Sequence, residues 1–353
     1  MIENIPLAEG EVQRIDVEDG SRIYRIGARV LPHLMGSVYL ILSDRFGPTL
    51  IDAGSGNPEC IAQIEAGFSK INAQYEPFGT EKLERLLLTH AHFDHFGGVH
   101  HFYRQSGAEI WIHAFESRIV CSYNEMAVIS DRRFAWFLTN NGVLEEDAPE
   151  IIKAFGFVPG RAQSAPVSRL LEGGETIDGF RFYHFPGHSS GHLGIQYGDY
   201  LFSGDLLLSQ TLTQIWPERI TPHTGLTHYM HSIDRLDQLA QSHEKETGRK
   251  LIALPGHEEI LQNIPARIAI VEKSEKRRND RLLEILRRSE EPLSLYEISK
   301  KMYFTTHVNR ALFSICDVGS RMEYLQQRGR VAVVNYDSIP MIGSAVLKFA
   351  AVD

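Results

Sequence analysis

Leu86-Leu87-Leu88-Thr89-His90-Ala91-His92-Phe93-Asp94-His95-Phe96-Gly97-Gly98 decides how the chain is read. Its apolar start, within LERLLLTH, reads as a buried strand. Residues two apart on an extended strand end point to the same side, so His90 and His92 face one point. If the chain then turns into a helix, Asp94 and His95 lie on the first turn and face a second point nearby. One short loop then serves two metal ions. Imidazole and carboxylate donors without thiolate suit zinc first, with iron or manganese also admitted.

Such a loop leaves each ion short of protein donors, and three other strand ends offer them. His188 in FPGHSSGH, Asp205 in YLFSGD and His257 in LIALPGH each follow an apolar run and a tight turn. A lone histidine after a strand is usually a structural hydrogen-bonding group. The recurrence of strand, turn and donor at three places gives these residues their weight. His100 and His101 read as structural. Arg219, His223, His228 and Tyr229, in the segment after Asp205, read as cleft-rim residues able to touch substrate.

The chain has 353 residues, a length that suggests about two domains. Hydrophobic residues make up 43% and charged residues 23%, an ordinary globular mix. Cys60, Cys121 and Cys316 are far apart, which argues against a disulfide framework and a thiolate zinc site. The acidic start lacks a secretory pattern and no apolar run is long enough to span a bilayer, so a cytoplasmic setting without membrane contact is expected. From Ala266 onward 15 Lys/Arg face 11 Asp/Glu, a net of +4, so the rest carries −13 of the total −9. The acidic part is a poor general trap for nucleic acid.

Strand-like and helix-like segments alternate through residues 1–265, which suggests a layered α/β domain. Residues from about 115 to 163 break that rhythm with a helical insertion rich in aromatics, including Tyr123, Phe134, Trp136 and Phe137. It either covers a cleft, where its aromatics would enclose a small acyl group, or packs as scaffold. Residues 266–353 give three helices and then two short strands, the order of a small C-terminal winged-helix-like domain.

The succession HxHxDH, GHSSGH, SGD and PGH resembles the metallo-β-lactamase-fold hydrolase superfamily, over about Ser21 to Glu259. That resemblance implies a four-layer αβ/βα sandwich with metals at one edge. It implies one ion on His90, His92 and His188, and a second on Asp94, His95 and His257, with Asp205 bridging. IDAGSG resembles the family's strand-end Asp-x-Gly, which makes Asp52 a support for the ligand loop, together with Thr89. His192 falls outside the usual ligand set, and a hydrogen-bonding role is expected for it.

The chemistry so implied is hydrolysis by a metal-bridging hydroxide, with Asp94 and Asp205 as the catalytic carboxylates. GHSSGH is not read as a serine-nucleophile elbow. Its loop is similar to that of the glyoxalase II branch, which hydrolyses thioesters, so a small thioester, ester or lactone is the expected substrate. The helices that hold glutathione in that branch are not evident. The C-terminal region instead resembles the winged-helix appendage of some relatives, including endoribonucleases. A metal-dependent nuclease holding RNA or DNA on this region is therefore the alternative. A regulatory or interaction protein with an intact metal site is a third, and a homodimer through the insertion or tail is a further expectation.

Overall fold

The computed structural model describes residues 5–155, 160–303, 308–339 and 345–352. Positions 156–159 of the insertion and 304–307 and 340–344 of the C-terminal region lie outside them. Seven strands form the first sheet, in spatial order: β1 (Val12–Asp16), β2 (Arg22–Leu31), β3 (Leu34–Leu42), β4 (Thr49–Ile51), β5 (Arg85–Leu87), β6 (Glu109–His113) and β7 (Arg169–Leu171). The β1 to β4 pairings are antiparallel and those from β4 to β7 are parallel. Parallel neighbours need crossovers. These are supplied by α1 (Pro58–Gln74), by α2 (Phe93–Phe96) with α3 (Val99–Ser106), and by the helices α4 (Ser117–Cys121), α5 (Tyr123–Asn140) and α6 (Ala148–Phe155).

The second sheet runs β8 (Thr176–Ile177), β9 (Phe180–His184), β10 (Leu193–Tyr197), β11 (Tyr200–Gly204) and β12 (Ile252–Pro255). Its one parallel joint, β11 to β12, is bridged by α7 (Leu226–Thr247). The remaining helices are α8 (Ile264–Arg287), α9 (Leu295–Tyr303) and α10 (Val308–Gln326), followed by an antiparallel pair, β13 (Val331–Val333) and β14 (Phe349–Ala351). No helix among the described residues is long and apolar enough to cross a membrane.

Side-chain alternation builds the layers. Ile41, Ile51, Leu87 and Trp111 of the first sheet meet Phe180, Phe182, Ile195 and Phe202 of the second in one inter-sheet core. The opposite face of the first sheet packs on α1 and α3 through Ile64, Phe68 and Phe102. The outer face of the second packs on α7 and the start of α8 through Ile233, Leu236, Ile264 and Ile268. Each fully buried large apolar side chain favours this arrangement by about 1.5–3 kcal/mol. The result is the expected αβ/βα sandwich.

β1 was not expected, because EVQRID is dominated by polar residues. It nonetheless pairs in register with β2 and buries Ile15. Pro58 opens α1, and the side chain of Asn57 before it makes no capping hydrogen bond.

The insertion and the C-terminal region fill one core. Phe134, Phe137 and Leu138 of α5 and Ile151 of α6 pack with Leu282 of α8, Ile298 of α9, Ile315 and Met322 of α10, and Phe349 of β14. Backbone bonds join the two parts: Tyr296 N donates to Asn141 O at 3.0 Å and Leu347 N to Asn140 O at 2.9 Å. Residue 265 lies in the first turn of α8, whose early turns pack on the sandwich and whose late turns pack on the insertion. Three of the four aromatics of α5 are thus spent, Tyr123 and Phe137 at 0% and Phe134 at 7% exposure, while Trp136 stays 53% exposed. These buried rings serve the scaffold, the second of the two roles that the sequence left open for the insertion.

An ionic network locks α8 to α10 inside this region. Arg321, 1% exposed, pairs with Asp317 at 2.9 Å and with Glu275 at 2.6 Å, and donates to Asn279 at 3.1 Å. Replacing it by Met strands two buried carboxylates. Arg321→Met is expected to lower unfolding stability by about 3–5 kcal/mol in urea titration. A change below about 1 kcal/mol, the usual scale of exposed pairs, would show that the network is not what holds the helices together.

Candidate metal centre

Four strand ends on one edge of the sandwich deliver the ligand-type side chains. After β5 the chain stays extended through His92, whose φ and ψ are −76° and 147°, and α2 then begins. His90 and His92 therefore sit on the extended arm, with Asp94 and His95 on the first helical turn. His188 comes from the β9–β10 loop, Asp205 from the residue after β11, and His257 from just beyond β12.

The donor atoms converge. His90 Nε2 and His92 Nδ1 are 3.1 Å apart. His188 Nε2 lies 3.6 Å from Asp205 Oδ2. The other oxygen of Asp205, Oδ1, lies 3.4 Å from His95 Nε2 and 3.6 Å from His257 Nε2. His257 Nε2 is 3.3 Å from Asp94 Oδ2. Three overlapping groups keep their donor atoms within 4.8 Å of one another: His90, His92 and His188; His90, His95 and Asp205; Asp94, His95 and His257. Asp205 turns one oxygen toward each side of the cluster, the placement a bridging carboxylate needs.

Hydrogen bonds behind the rings fix which nitrogen faces inward. His95 Nδ1 donates to Asp52 Oδ2, His188 Nδ1 to Gln214 O and His257 Nδ1 to Met35 O, each at 2.8 Å. His90 Nδ1 donates to Thr89 Oγ1 at 3.0 Å, and that hydroxyl passes on to Asp52 Oδ2 at 2.8 Å. With Nδ1 donating outward, each of these rings turns its Nε2 inward, where it can serve as a ligand atom once it carries no proton. The Nε2 atoms of His95, His188 and His257 and Oδ1 of Asp205 are buried and make no hydrogen bond among the described residues. Buried, unpaired acceptors are costly. Divalent cations are the partners that this donor set fits.

Asp52, 3% exposed, accepts from Thr89 N and Thr89 Oγ1 as well as from His95, and adopts a left-handed backbone with φ +57°. His192 stands behind Asp205: its Nε2 accepts from the Asp205 amide at 3.1 Å, and its ring stacks on His90. Two glycines make room. A Cβ at Gly204, where φ is +48°, would lie 2.7 Å from both His192 Nε2 and Thr89 Oγ1. One at Gly256 would lie 2.4 Å from the His95 ring.

Electrostatics divide the site. Burial lowers the pKa values of His90, His92, His188 and His192, and neighbouring rings reinforce it for His90 and His92, the latter falling to about 3. Burial also works against a charged His257, yet Asp205 and Asp94 outweigh it and push that ring up to about 9. His95 is raised in the same way. Desolvation works against charge on the half-buried Asp94 and the buried Asp205, yet those imidazoles hold both below the ordinary carboxylate range.

Glu116 has no counterpart in the sequence reading. It is 3% exposed, and its two oxygens accept from Ala91 N at 2.6 Å and Gly191 N at 2.9 Å. Ala91 lies between His90 and His92, and Gly191 follows His188 by three positions. One carboxylate thereby ties two ligand loops together. Its signal is the one that marks the ligands: it follows the end of β6 on the same sheet edge.

The expected rim residues separate. Tyr229 is 1% exposed, so its ring belongs to the core. Arg219 turns to α10, pairing with Glu323 at 3.4 Å and donating to Gln326 at 2.8 Å. His228 pairs with Glu218 at 3.1 Å. Only His223 of the four is exposed, and it stacks on Phe115. Residues 187–191 do have the G-x-S-x-G spacing of a nucleophile elbow, so spacing does not exclude one. Topology does: the segment joins two antiparallel strands, whereas an elbow joins a strand to a helix.

Glu116→Gln keeps the shape but turns an amide NH₂ toward one of two N–H donors. The variant is expected to fold and to bind metal about 10- to 100-fold more weakly, read by competition with a chelator. Unchanged affinity would remove Glu116 from the support of the centre.

Residues 31–257 match the family model for the metallo-beta-lactamase superfamily, a span that contains every donor named above. Among curated proteins, the acyl-coenzyme A thioesterase MBLAC2 of Gallus gallus is 30% identical over 182 residues, 48% of this chain and 55% of that protein. The hydroxyacylglutathione hydrolase GloC of Haemophilus influenzae is 30% identical over 179 residues, 47% of this chain and 67% of that protein. The chain thus spans about half the length of the thioesterases it matches. Among solved structures, a beta-lactamase domain protein from Burkholderia ambifaria superposes with a TM-score of 0.76 at 18% identity, over 99% of this chain and 96% of that one. A metallo-beta-lactamase family protein from Thermus thermophilus gives 0.70 at 20% identity, over 93% and 98%. These two likenesses speak for the fold. The family match, with its donors gathered at one sheet edge, places the chain in the metallo-beta-lactamase superfamily.

Proposed function

We propose that the protein is a hydrolase of small thioesters that works with two divalent ions, zinc foremost. One observation carries the reading: seven ligand-type side chains converge, and four of their atoms, Nε2 of His95, His188 and His257 and Oδ1 of Asp205, are buried without a hydrogen-bond partner among the described residues. His90, His92 and His188 would hold one ion, Asp94, His95 and His257 the other, and Asp205 both. When bound, such ions acidify a water for attack and polarise a carbonyl oxygen. The chain's own part is orientation. The Nδ1 hydrogen bonds hold the imidazoles in place, and Asp52 and Glu116 hold the loops. The Asp94 carboxylate is 16% exposed, the most open of the site's carboxylates, and is assigned to orient the water and carry a proton to the leaving thiolate.

Thioesters are favoured because both named relatives are thioester hydrolases by name. The nuclease reading has less support. Several cations of the tail are engaged internally: Arg278 and Arg321 with Asp317, Lys276 with Asp280, Arg288 with Glu284 and Lys348 with Glu297. Three unpaired cysteines suit the reducing cytoplasm.

The test is a turnover panel of thioesters, lactones and labelled single-stranded RNA on metal-replete protein, with Asp205→Ala as the blank. Thioester cleavage that drops to background in the variant is expected, along with loss of metal from both positions. RNA cleavage alone would replace the proposal with the nuclease reading.

Metal uptake should also depend on pH. His257 and His95 carry protons in the metal-free site up to about pH 9 for His257, and a ligating Nε2 must give its proton up. Apparent affinity is therefore expected to rise with pH from 6 toward 9. Calorimetry in two buffers of different ionisation enthalpy at pH 7.5 should show protons released on binding, and no buffer dependence would contradict the assignment.

A further inference from the structure

The inter-sheet core continues outward as a ladder of rings on the His188 flank of the metal centre. Trp111 of β6 and Phe182 of β9 form one rung, with ring centres 6.4 Å apart. Two residues on along each strand, His113 stacks on His184 at 4.0 Å and 23°. The last rung is Phe115, 5.8 Å from His184 and 4.8 Å from His223, to which it is nearly parallel at 9°. Trp111 and His113 are 2% exposed, whereas Phe115 is 54% exposed.

The inner rungs are wall. His113 Nε2 donates to Glu172 O and His184 Nε2 to Ser190 O, so both rings have structural duties. Neither ring of the outer rung makes a hydrogen bond of that kind among the described residues. It lies beside the centre all the same: Phe115 immediately precedes Glu116, whose carboxylate grips the ligand loop at Ala91. His223 holds a left-handed backbone at φ +64°, a costly conformation for a residue with a side chain. Its segment is fastened to the ligand loop by Gly225 N donating to Gly187 O at 3.0 Å. A cation is fixed at the next rung in: the exposed Arg235 donates through Nη1 to the His184 carbonyl at 2.8 Å, and its guanidinium lies 5.3 Å from the Phe185 ring centre.

A flat, solvent-facing ring stack with a guanidinium near it suits a planar heteroaromatic ring that carries phosphate. Of the two thioester carriers named in the relatives, coenzyme A ends in an adenine nucleotide and glutathione has no ring. We propose that Phe115, His223 and Arg235 form a subsite for the adenine nucleotide end of a coenzyme A thioester. This rests on the thioester reading and narrows it to one carrier.

The test compares kcat/KM for acetyl-coenzyme A with that for S-acetylpantetheine, which lacks the nucleotide, on the metal-replete full chain. The wild-type ratio is expected to be roughly 5- to 100-fold, the worth of one stacked base. Phe115→Ala and His223→Ala should each bring it toward one, and Phe115→Tyr should retain it. A wild-type ratio near one, or the same ratio in the alanine variants, overturns the subsite while leaving thioester hydrolysis intact. Calorimetric titration with free coenzyme A gives a reading independent of turnover. Binding weakened by Phe115→Ala upholds the subsite even if no thioester is cleaved, in which case the proposed function alone fails. No binding overturns the subsite. Displacement of coenzyme A by a single-stranded RNA oligomer at lower concentration would also overturn it and assign the rings to nucleic acid.

Discussion

Everything at the open edge of this fold depends on keeping buried imidazole lone pairs aimed at one small volume. A bare histidine at a strand end would rotate to satisfy both nitrogens. Here Asp52 prevents that for two rings at once, by accepting from His95 directly and from His90 through Thr89. The Met35 and Gln214 carbonyls do the same for His257 and His188. The left-handed backbone at Asp52 is a local cost, offset by three hydrogen bonds to one carboxylate. Without a cation the centre keeps buried polar atoms that make no hydrogen bond among the described residues. Ligand binding to such a site is also stabilisation of the fold.

The candidate donors were legible because metal chemistry restricts residue types and the sandwich restricts positions. A ligand must be histidine or carboxylate in a thiolate-free site, and it must stand at the end of a strand that reaches the open edge. His90, His92, Asp94, His95, His188, Asp205 and His257 satisfy both conditions in the sequence alone, and the structure brings their side chains together. The strand rhythm was legible for the same reason, since buried strands must be apolar. β1 escaped because an edge strand with a single buried isoleucine carries little of that signal.

What the sequence hid was long-range partnership. Glu116 is an ordinary glutamate until the fold sets it between Ala91 and Gly191. Tyr229 and Arg219 looked like rim residues because their segment follows the candidate ligand Asp205. Whether a tyrosine in α7 faces the cleft or the core depends on what packs against the helix, and that information lies elsewhere in the chain. The aromatics of α5 illustrate the same point. Composition can announce a hydrophobic surface, but only the tail's helices show what covers it.

That covering also explains how the C-terminal region bears on the metal edge without supplying a donor. Glu323 of α10 accepts from the amides of Glu218 and Arg219 at 2.7 and 3.1 Å, and Trp216 sits between Phe134 of the insertion and Phe313 of α10. The segment so gripped runs on to His223 and to Gly225, which bonds the ligand loop at Gly187. A rim loop held only by its own backbone would sample many conformations, and the left-handed turn at His223 would relax. The insertion and the tail share a core, that core grips residues 216–219, and those residues set where the next turn of chain stands beside His188. The C-terminal region is therefore joined to the rim of the site by packing and by the Glu323 carboxylate.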